Sequence, residues 1–435
     1  MRETQSTADH IEVVTRKLLE TIGADTVAAV GKESGWLRRL RKITPIAWAA
    51  AVLSTLGGPR VQWLADIWRT VQVVSATTVR YKPFHKQLSK PGFAEFFRRL
   101  LENALREFTA PVLAGVSVPL GMFRDIVIHD GSSFSIKEGL ADCWPGRFTK
   151  FSPAAVELHV TMSLLEDNAH AITLTPDSES ERAHRPAPEA LVGRLFLGDR
   201  GFEDKRFFFD VDRAGGSFIV RGMKSSRPTI VAAFDDTGRP IKRLLQQRLS
   251  WDVLPKHAVD LDIEWEISAS VVLRSRLVVL YKKDKRNRNM FIYLHNNLGR
   301  DVFAADKVGQ LYRLRWQVEL FFKECKSHAN LHAFDTEKDE IVEGLIWASL
   351  LCAVLKRGLT HAAEQWVGVP LSTSRAASSA KHYLDPILRA LCDSTPLGRI
   401  LEESLSFLGL HARRAHPDRD RRTGRLAAGL LHVAA

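Results

Sequence analysis

From residue 8 to about 115, apolar residues recur at helical spacing, with breaks at GKESG (31–35), GGP (57–59) and KPG (90–92). That pattern predicts a series of short helices. Near residue 123 the period changes. FRDIVIHD (123–130) is a short β-branched run ending in an acid. AAVELHVTMSLLE (154–166) alternates at Val156, Leu158, Val160, Met162 and Leu164, as a half-buried strand does. AITLTP (171–176) reads as a further strand, EALVGRLFLGD (189–199) as a short helix feeding a strand that stops at another acid, and GGSFIVRG (215–222) as one more strand. Residues 224–300 are strand-rich, and RLVVLYKKDKRNRNMFIYLHN (276–296) reads as a hairpin with a basic tip. A helix follows from near Ala304. Apolar helices then run from about 340 to 410 toward an arginine-rich tail. Successive strands followed by a helix-rich end predict an α/β fold.

The organisation that follows has five parts: a helical, basic region 1–115, an α/β core 116–223, a β-rich insertion 224–300, a helix returning to the core at 301–345, and a helical region 346–435 with a basic tail. The longest apolar runs, PIAWAAAVLSTLGG (45–58) and LIWASLLCAVL (345–355), are well short of the roughly 20 residues a membrane span needs and read as buried helices. The start, MRETQSTADH, has no apolar segment after basic residues, so no signal peptide is expected. Four cysteines without a CxxC pair suit a reducing cytoplasm.

Charge sharpens the picture. Against 50 Asp and Glu stand 62 Lys and Arg, a net +12, which points to a polyanionic partner, most simply nucleic acid. SATTVRYKPFHKQLSKPGFAEFFRRLL (75–101) opens with Ser75 and Thr77 as N-cap candidates and mixes aromatics with Arg80, Lys82, Lys86 and Lys90. It suits either a helix-turn-helix-like DNA binder or a bundle with an exposed basic face.

Chemistry concentrates in YRLRWQVELFFKECK (312–326). At about 100° per residue, Tyr312, Arg315, Glu319 and Lys326 fall at roughly 0°, −60°, −20° and −40°, one narrow stripe. Leu311, Leu314, Val318, Phe321 and Cys325 form the packing face. Asp130 and Asp199 each close an apolar strand, which is costly unless the carboxylate is hydrogen-bonded, caps a turn or meets a cation. Joined by Glu319 they would make an all-oxygen pocket suited to Mg²⁺, or Mn²⁺ as its substitute. Two ions could activate an attacking oxygen and steady the leaving one, with Asp130 bridging both and Asp199 and Glu319 holding one each.

IVIHDGSSF, FLGDRGF and YRLRWQVELFFKECKSHANL, in that order, resemble the DDE transposases of bacterial insertion sequences, most closely the insertion-sequence-four family. That family's Tyr-x2-Arg-x3-Glu-x6-Lys signature is met by Tyr312, Arg315, Glu319 and Lys326. The resemblance covers roughly 75 to 360. It implies a ribonuclease-H-like core of mixed sheet flanked by helices, Asp130, Asp199 and Glu319 as catalytic metal ligands for two Mg²⁺ ions, and cut-and-paste movement of DNA. It implies further that Tyr312, Arg315 and Lys326 grip phosphate near the element's 5′ end and favour a hairpin intermediate. The partners would be double-stranded DNA, as terminal inverted repeats and as target, and a second copy in a synaptic dimer. No membrane partner is expected, and the location would be the cytoplasm, on the nucleoid. End recognition would fall to residues 1–115.

Other readings compete. Cys325, His328 and His332 share a helical face that could ligate zinc. Trp316 is expected to pack on the sheet, and Trp251 and Trp265 are candidates for stacking a base, against ordinary strand packing. His129 is expected to be structural. An inactive transposase-derived DNA-binding protein and a stand-alone ribonuclease-H-like nuclease are the alternative functions.

Overall fold

The computed structural model describes residues 7–37, 42–58, 63–108, 120–164, 168–283, 286–331 and 334–422. Parts of the basic hairpin tip and of the arginine-rich tail lie outside the described residues, as does His332.

Among the described residues six helices come first: α1 (Thr7–Ile22), α2 (Ala24–Glu33), α3 (Pro45–Gly57), α4 (Leu64–Ser75), α5 (Tyr81–Leu88) and α6 (Phe93–Glu107). Helix α3 begins as its sequence dictates, with proline in the first turn and the Thr44 hydroxyl accepting from the Ala47 N–H at 3.3 Å. Ser75 and Thr77 are not caps. Ser75 ends α4 and donates back to the Val71 carbonyl, Thr77 donates to the Ser75 carbonyl, and Arg80 precedes α5.

The strands are β1 (Asp125–Ser135), β2 (Ala155–Ser163), β3 (Asn168–Pro176), β4 (Arg194–Gly198), β5 (Ser217–Arg221), β6 (Thr229–Asp235), β7 (Val259–Ser268), β8 (Val271–Lys283) and β9 (Asn289–Asn296), with α7 (Lys205–Arg213) between β4 and β5. They form one nine-stranded sheet in the order β3-β2-β1-β4-β5-β9-β8-β7-β6. Its first five strands lie in the order 3-2-1-4-5. Strand β2 runs antiparallel to β1 and β3, while β4 runs parallel to β1 and β5. The segment 224–300 extends this sheet, because β9 pairs antiparallel with β5 from Ile219↔Asn296 to Arg221↔Leu294.

The alternation in β2 suggested one solvated face, yet the strand is buried on both. Its polar side chains are matched within the fold: Glu157 takes Arg147 at 3.2 Å, and His159 pairs with Thr175 at 2.9 Å. A buried polar group with a partner costs far less than an orphan.

Helices α8 (Ala305–Arg313), α9 (Trp316–His328), α10 (Asp339–Val367), α11 (Thr373–Ser378), α12 (Leu384–Cys392) and α13 (Gly398–His411) follow the sheet. The 29-residue α10 is the hub, packed against α6, α3 and α13. Gly344 and Gly358 allow the close approach, since a Cβ would lie 2.2 Å from the Phe93 ring at the first and 2.3 Å from the Phe108 ring at the second. One continuous apolar core runs from Val14 in α1 through strands β1 to β4 to Leu408 in α13. Buried Arg276 on β8 pairs with Asp260 at 2.7 Å and donates to the carbonyls of Leu298 (3.1 Å) and Phe303 (2.7 Å), which ties the insertion to the approach to α8. No helix among the described residues is long and apolar enough to cross a membrane.

Candidate active site

The parallel ladder between β1 and β4 ends at Ile128↔Leu197. Asp130 and Asp199 each stand two residues beyond that last pair, so parallel register brings them side by side. Asp130 does not end its strand: β1 runs on to Ser135, with Asp130 opposite Val160 of β2. Asp199 does leave the sheet. It caps the 3₁₀ turn Arg200–Phe202, its carboxylate accepting from the Gly201 N–H at 2.6 Å.

The third acid arrives on α9, which packs against β1. The expected single helix from 304 is broken. The N–H groups of Leu314 and Arg315 bond three residues back, to Leu311 (3.0 Å) and Tyr312 (3.2 Å), as do those of Gln317 and Val318. This tightened turn separates α8 from α9 without a proline or glycine. The apolar face still holds, because Leu311, Leu314, Val318, Phe321 and Cys325 are all buried. Trp316 is turned outward and 45% exposed, so it does not pack on the sheet.

Arg315 joins the parts. Its side chain is only 14% exposed; Nη1 donates to Asp130 Oδ2 at 3.1 Å and Nη2 to Glu319 Oε1. Tyr312 lies alongside, the guanidinium carbon 6.0 Å from its ring centre. Farther along α9, Lys326 Nζ donates to the Ser133 carbonyl at 2.7 Å. The cations of the stripe therefore run along β1 from Asp130 to Ser133.

Two carboxylates that sequence reasoning passed over complete the surroundings, Glu157 on β2 and Glu181 in the 3₁₀ turn Glu181–His184. Gly131 makes room for them: a Cβ there would lie 2.7 Å from Glu157 Oε1 and 3.0 Å from Glu181 Oε1. Burial pushes the Asp130 carboxyl up to about 7; Arg315 opposes the shift, and Glu181 and Asp199 add to it. Burial raises Glu181 as well, with Asp199 reinforcing it, and burial raises Glu157 against the pull of Arg147. Glu181 Oε1 is buried without a well-formed hydrogen bond; the Gly131 N–H and the Asp130 carboxyl nearby hold its charge only in part. Carboxylates crowded this way are short of positive charge, which is the condition a hard divalent cation relieves. Among the described residues no three His, Cys, Asp or Glu side chains already form a metal cage, and the Arg315 guanidinium bridges two of the three acids.

Beside Lys326 a groove of roughly 520 Å³ opens, lined among others by Gly57, His328, Asn330, Ser378 and Lys381. The zinc reading gains no support. Cys325 lies on the apolar face, where burial pushes its thiol far up and disfavours a thiolate ligand. His328 contacts Ser374 at 3.3 Å. Trp265 is part of the sheet packing, its ring centre 5.4 Å from that of His295, whereas Trp251 is exposed. His129 is buried against Thr161, with the ring nitrogen 2.9 Å from the hydroxyl, as a structural histidine would be.

Comparison with known proteins points one way. The family described as "Transposase DDE domain" matches residues 121–355. The transposase for insertion sequence element IS421 of Escherichia coli is 41% identical over 64 residues, which are 15% of this chain and 17% of that one. The transposase for insertion sequence element IS231B of Bacillus thuringiensis subsp. berliner is 19% identical over 452 residues, 94% of each chain. A solved structure titled as a piggyBac transposase synaptic complex with hairpin DNA is 11% identical, covers 97% of this chain and 91% of that one, and has a TM-score of 0.45, too loose a likeness to argue from.

Proposed function

The chain belongs to the transposase DDE-domain family, and we propose that it is an insertion-sequence transposase that cuts DNA at the ends of its element and joins those ends to target DNA. The observation that carries this reading is the convergence of Asp130 and Asp199 at one register level of the sheet, with Glu319 tied to Asp130 through Arg315. Asp130, Asp199 and Glu319 would hold two Mg²⁺ ions, for which Mn²⁺ could substitute. When bound, the ions supply Lewis-acid charge to the attacking and departing oxygens of an in-line phosphoryl transfer.

The remaining work falls to the chain's own side chains. Arg315 balances Asp130 and Glu319 in the metal-free protein. With that charge supplied otherwise, its planar fork is available to take two oxygens of one phosphate. Lys326, beside the groove, follows the strand as a point charge, and Tyr312 braces Arg315. Holding the scissile phosphate in line is a large part of the catalysis such a site can offer. The spacing of Tyr312, Arg315, Glu319 and Lys326 supports the narrower reading of an insertion-sequence-four enzyme with a hairpin intermediate. Two DNA ends must be brought together, which favours a dimer on DNA, working in the cytoplasm on the nucleoid.

The test uses labelled DNA carrying the sequences that flank the gene. With Mg²⁺ the protein should nick at the element boundary and then yield a hairpin product on a denaturing gel, while generic DNA stays intact. Equal cutting of both substrates would identify a stand-alone nuclease instead.

A further inference from the structure

Glu181 occupies a place that the three-acid reading does not explain. It lies in the polar segment ESERAH (179–184), far from any motif in sequence, yet it sits beside the carboxylates of both Asp130 and Asp199. The neighbouring Arg182 fixes it there. Arg182 Nε donates to the Gly201 carbonyl at 2.6 Å and Nη2 to the Glu203 carbonyl at 3.0 Å, which clamps the Glu181–His184 turn onto the turn that Asp199 caps. Part of the space for its carboxylate is made by Gly131, next to Asp130, where a Cβ would lie 3.0 Å from Glu181 Oε1. One oxygen is buried without a well-formed hydrogen bond. A carboxylate pinned in place, given room by Gly131, and with a buried oxygen only partly matched by the Gly131 N–H and the Asp130 carboxyl is arranged for a cation.

We propose that Glu181 is a fourth carboxylate of the metal site, acting on the ion that Asp130 and Asp199 hold. This rests on the transposase reading of those two acids. A carboxylate here adds negative charge next to Asp130 and Asp199, so it tightens the ion those two hold. If Glu181 served only to position the loop, its charge would not matter, because Arg182 bonds the neighbouring turn through backbone carbonyls.

The experiment is a titration of the full-length protein with Mn²⁺, without DNA, read by the loss of the free-ion signal in electron paramagnetic resonance. Glu181→Gln should weaken Mn²⁺ binding at least tenfold, and its melting temperature in EDTA should equal or exceed that of the wild type, since a crowded charge is removed. Unchanged Mn²⁺ binding in Glu181→Gln, beside a clear loss in Asp130→Asn, would overturn the assignment of Glu181 alone. Unchanged binding in both variants would overturn the reading of the whole site. A second measurement needs no variant. Fe²⁺ with ascorbate and peroxide cuts the backbone next to bound metal, and cuts near 181 should accompany those near 130 and 199. Cuts at 130 and 199 without one near 181 would count against the proposal.

Discussion

Burial pushes the Asp130 carboxyl up to about 7 against the pull of Arg315, and Glu181 and Asp199 add to the shift. The sign of its effect on stability follows. Between about pH 4 and 7 the unfolded chain loses this proton while the folded chain keeps it, so the metal-free protein loses stability as pH rises through that window. Melting curves in EDTA should show the decline, and Asp130→Asn should flatten it. Apparent Mg²⁺ affinity should climb over the same range and level off above about 7. Arg315 and Lys326 separate by their contacts. Arg315 bonds two of the three acids, whereas Lys326 bonds only a backbone carbonyl, that of Ser133, among the contacts resolved for it. Arg315→Lys keeps the charge but loses the two-point grip, so it should slow the first nick about tenfold or more and also impair hairpin formation. Lys326→Ala should nick at near the normal rate and stall afterwards. Equal nicking defects in both would mean that the stripe acts as one unit.

Among the elements, those with a clean period were legible in the sequence and those defined by tertiary contact were not. The apolar runs leading up to Asp130 and Asp199, the buried helical segments at 45–58 and 345–355, and the apolar face of the glutamate helix all follow from spacing, because a buried stripe leaves its period in the chain. Three features left no such trace. The break at Leu314–Arg315 occurs in good helix-forming residues, with no proline or glycine to announce it. The second buried face of β2 is polar in sequence and is stabilised by partners on other elements, Arg147 and Thr175. Glu181 sits in a segment without period and reaches the acids only through the fold. Packing between elements gives its own prediction. Gly344→Ala places a methyl 2.2 Å from the Phe93 ring in the contact between α6 and α10. Overpacking there should cost about 1–3 kcal/mol, more than the roughly 1 kcal/mol gained in helix propensity. Thermal denaturation should show a lower melting temperature; an unchanged or raised one would mean the two helices separate freely.

For the whole molecule, charge and core continuity set the behaviour. The net charge of +12 should make DNA binding strongly salt-dependent, with a log–log slope of about −4 or steeper if four or more phosphates are neutralised. A slope near zero in a fluorescence-anisotropy salt series would remove the basic surface from the account. Because the helices before 108 and after 339 share one apolar core with the sheet, point variants of the full chain are better probes of DNA recognition than deletions. The same holds for the chemistry. The most direct measurement is cleavage of a labelled element end in Mg²⁺ by the full-length protein and by Asp130→Asn, Asp199→Asn and Glu319→Gln, with binding to the same DNA followed in parallel. The wild type should cut at the boundary, and each variant should bind the end yet leave it uncut. A variant that binds and still cuts at near the wild-type rate would contradict the claim that these three carboxylates form the catalytic site.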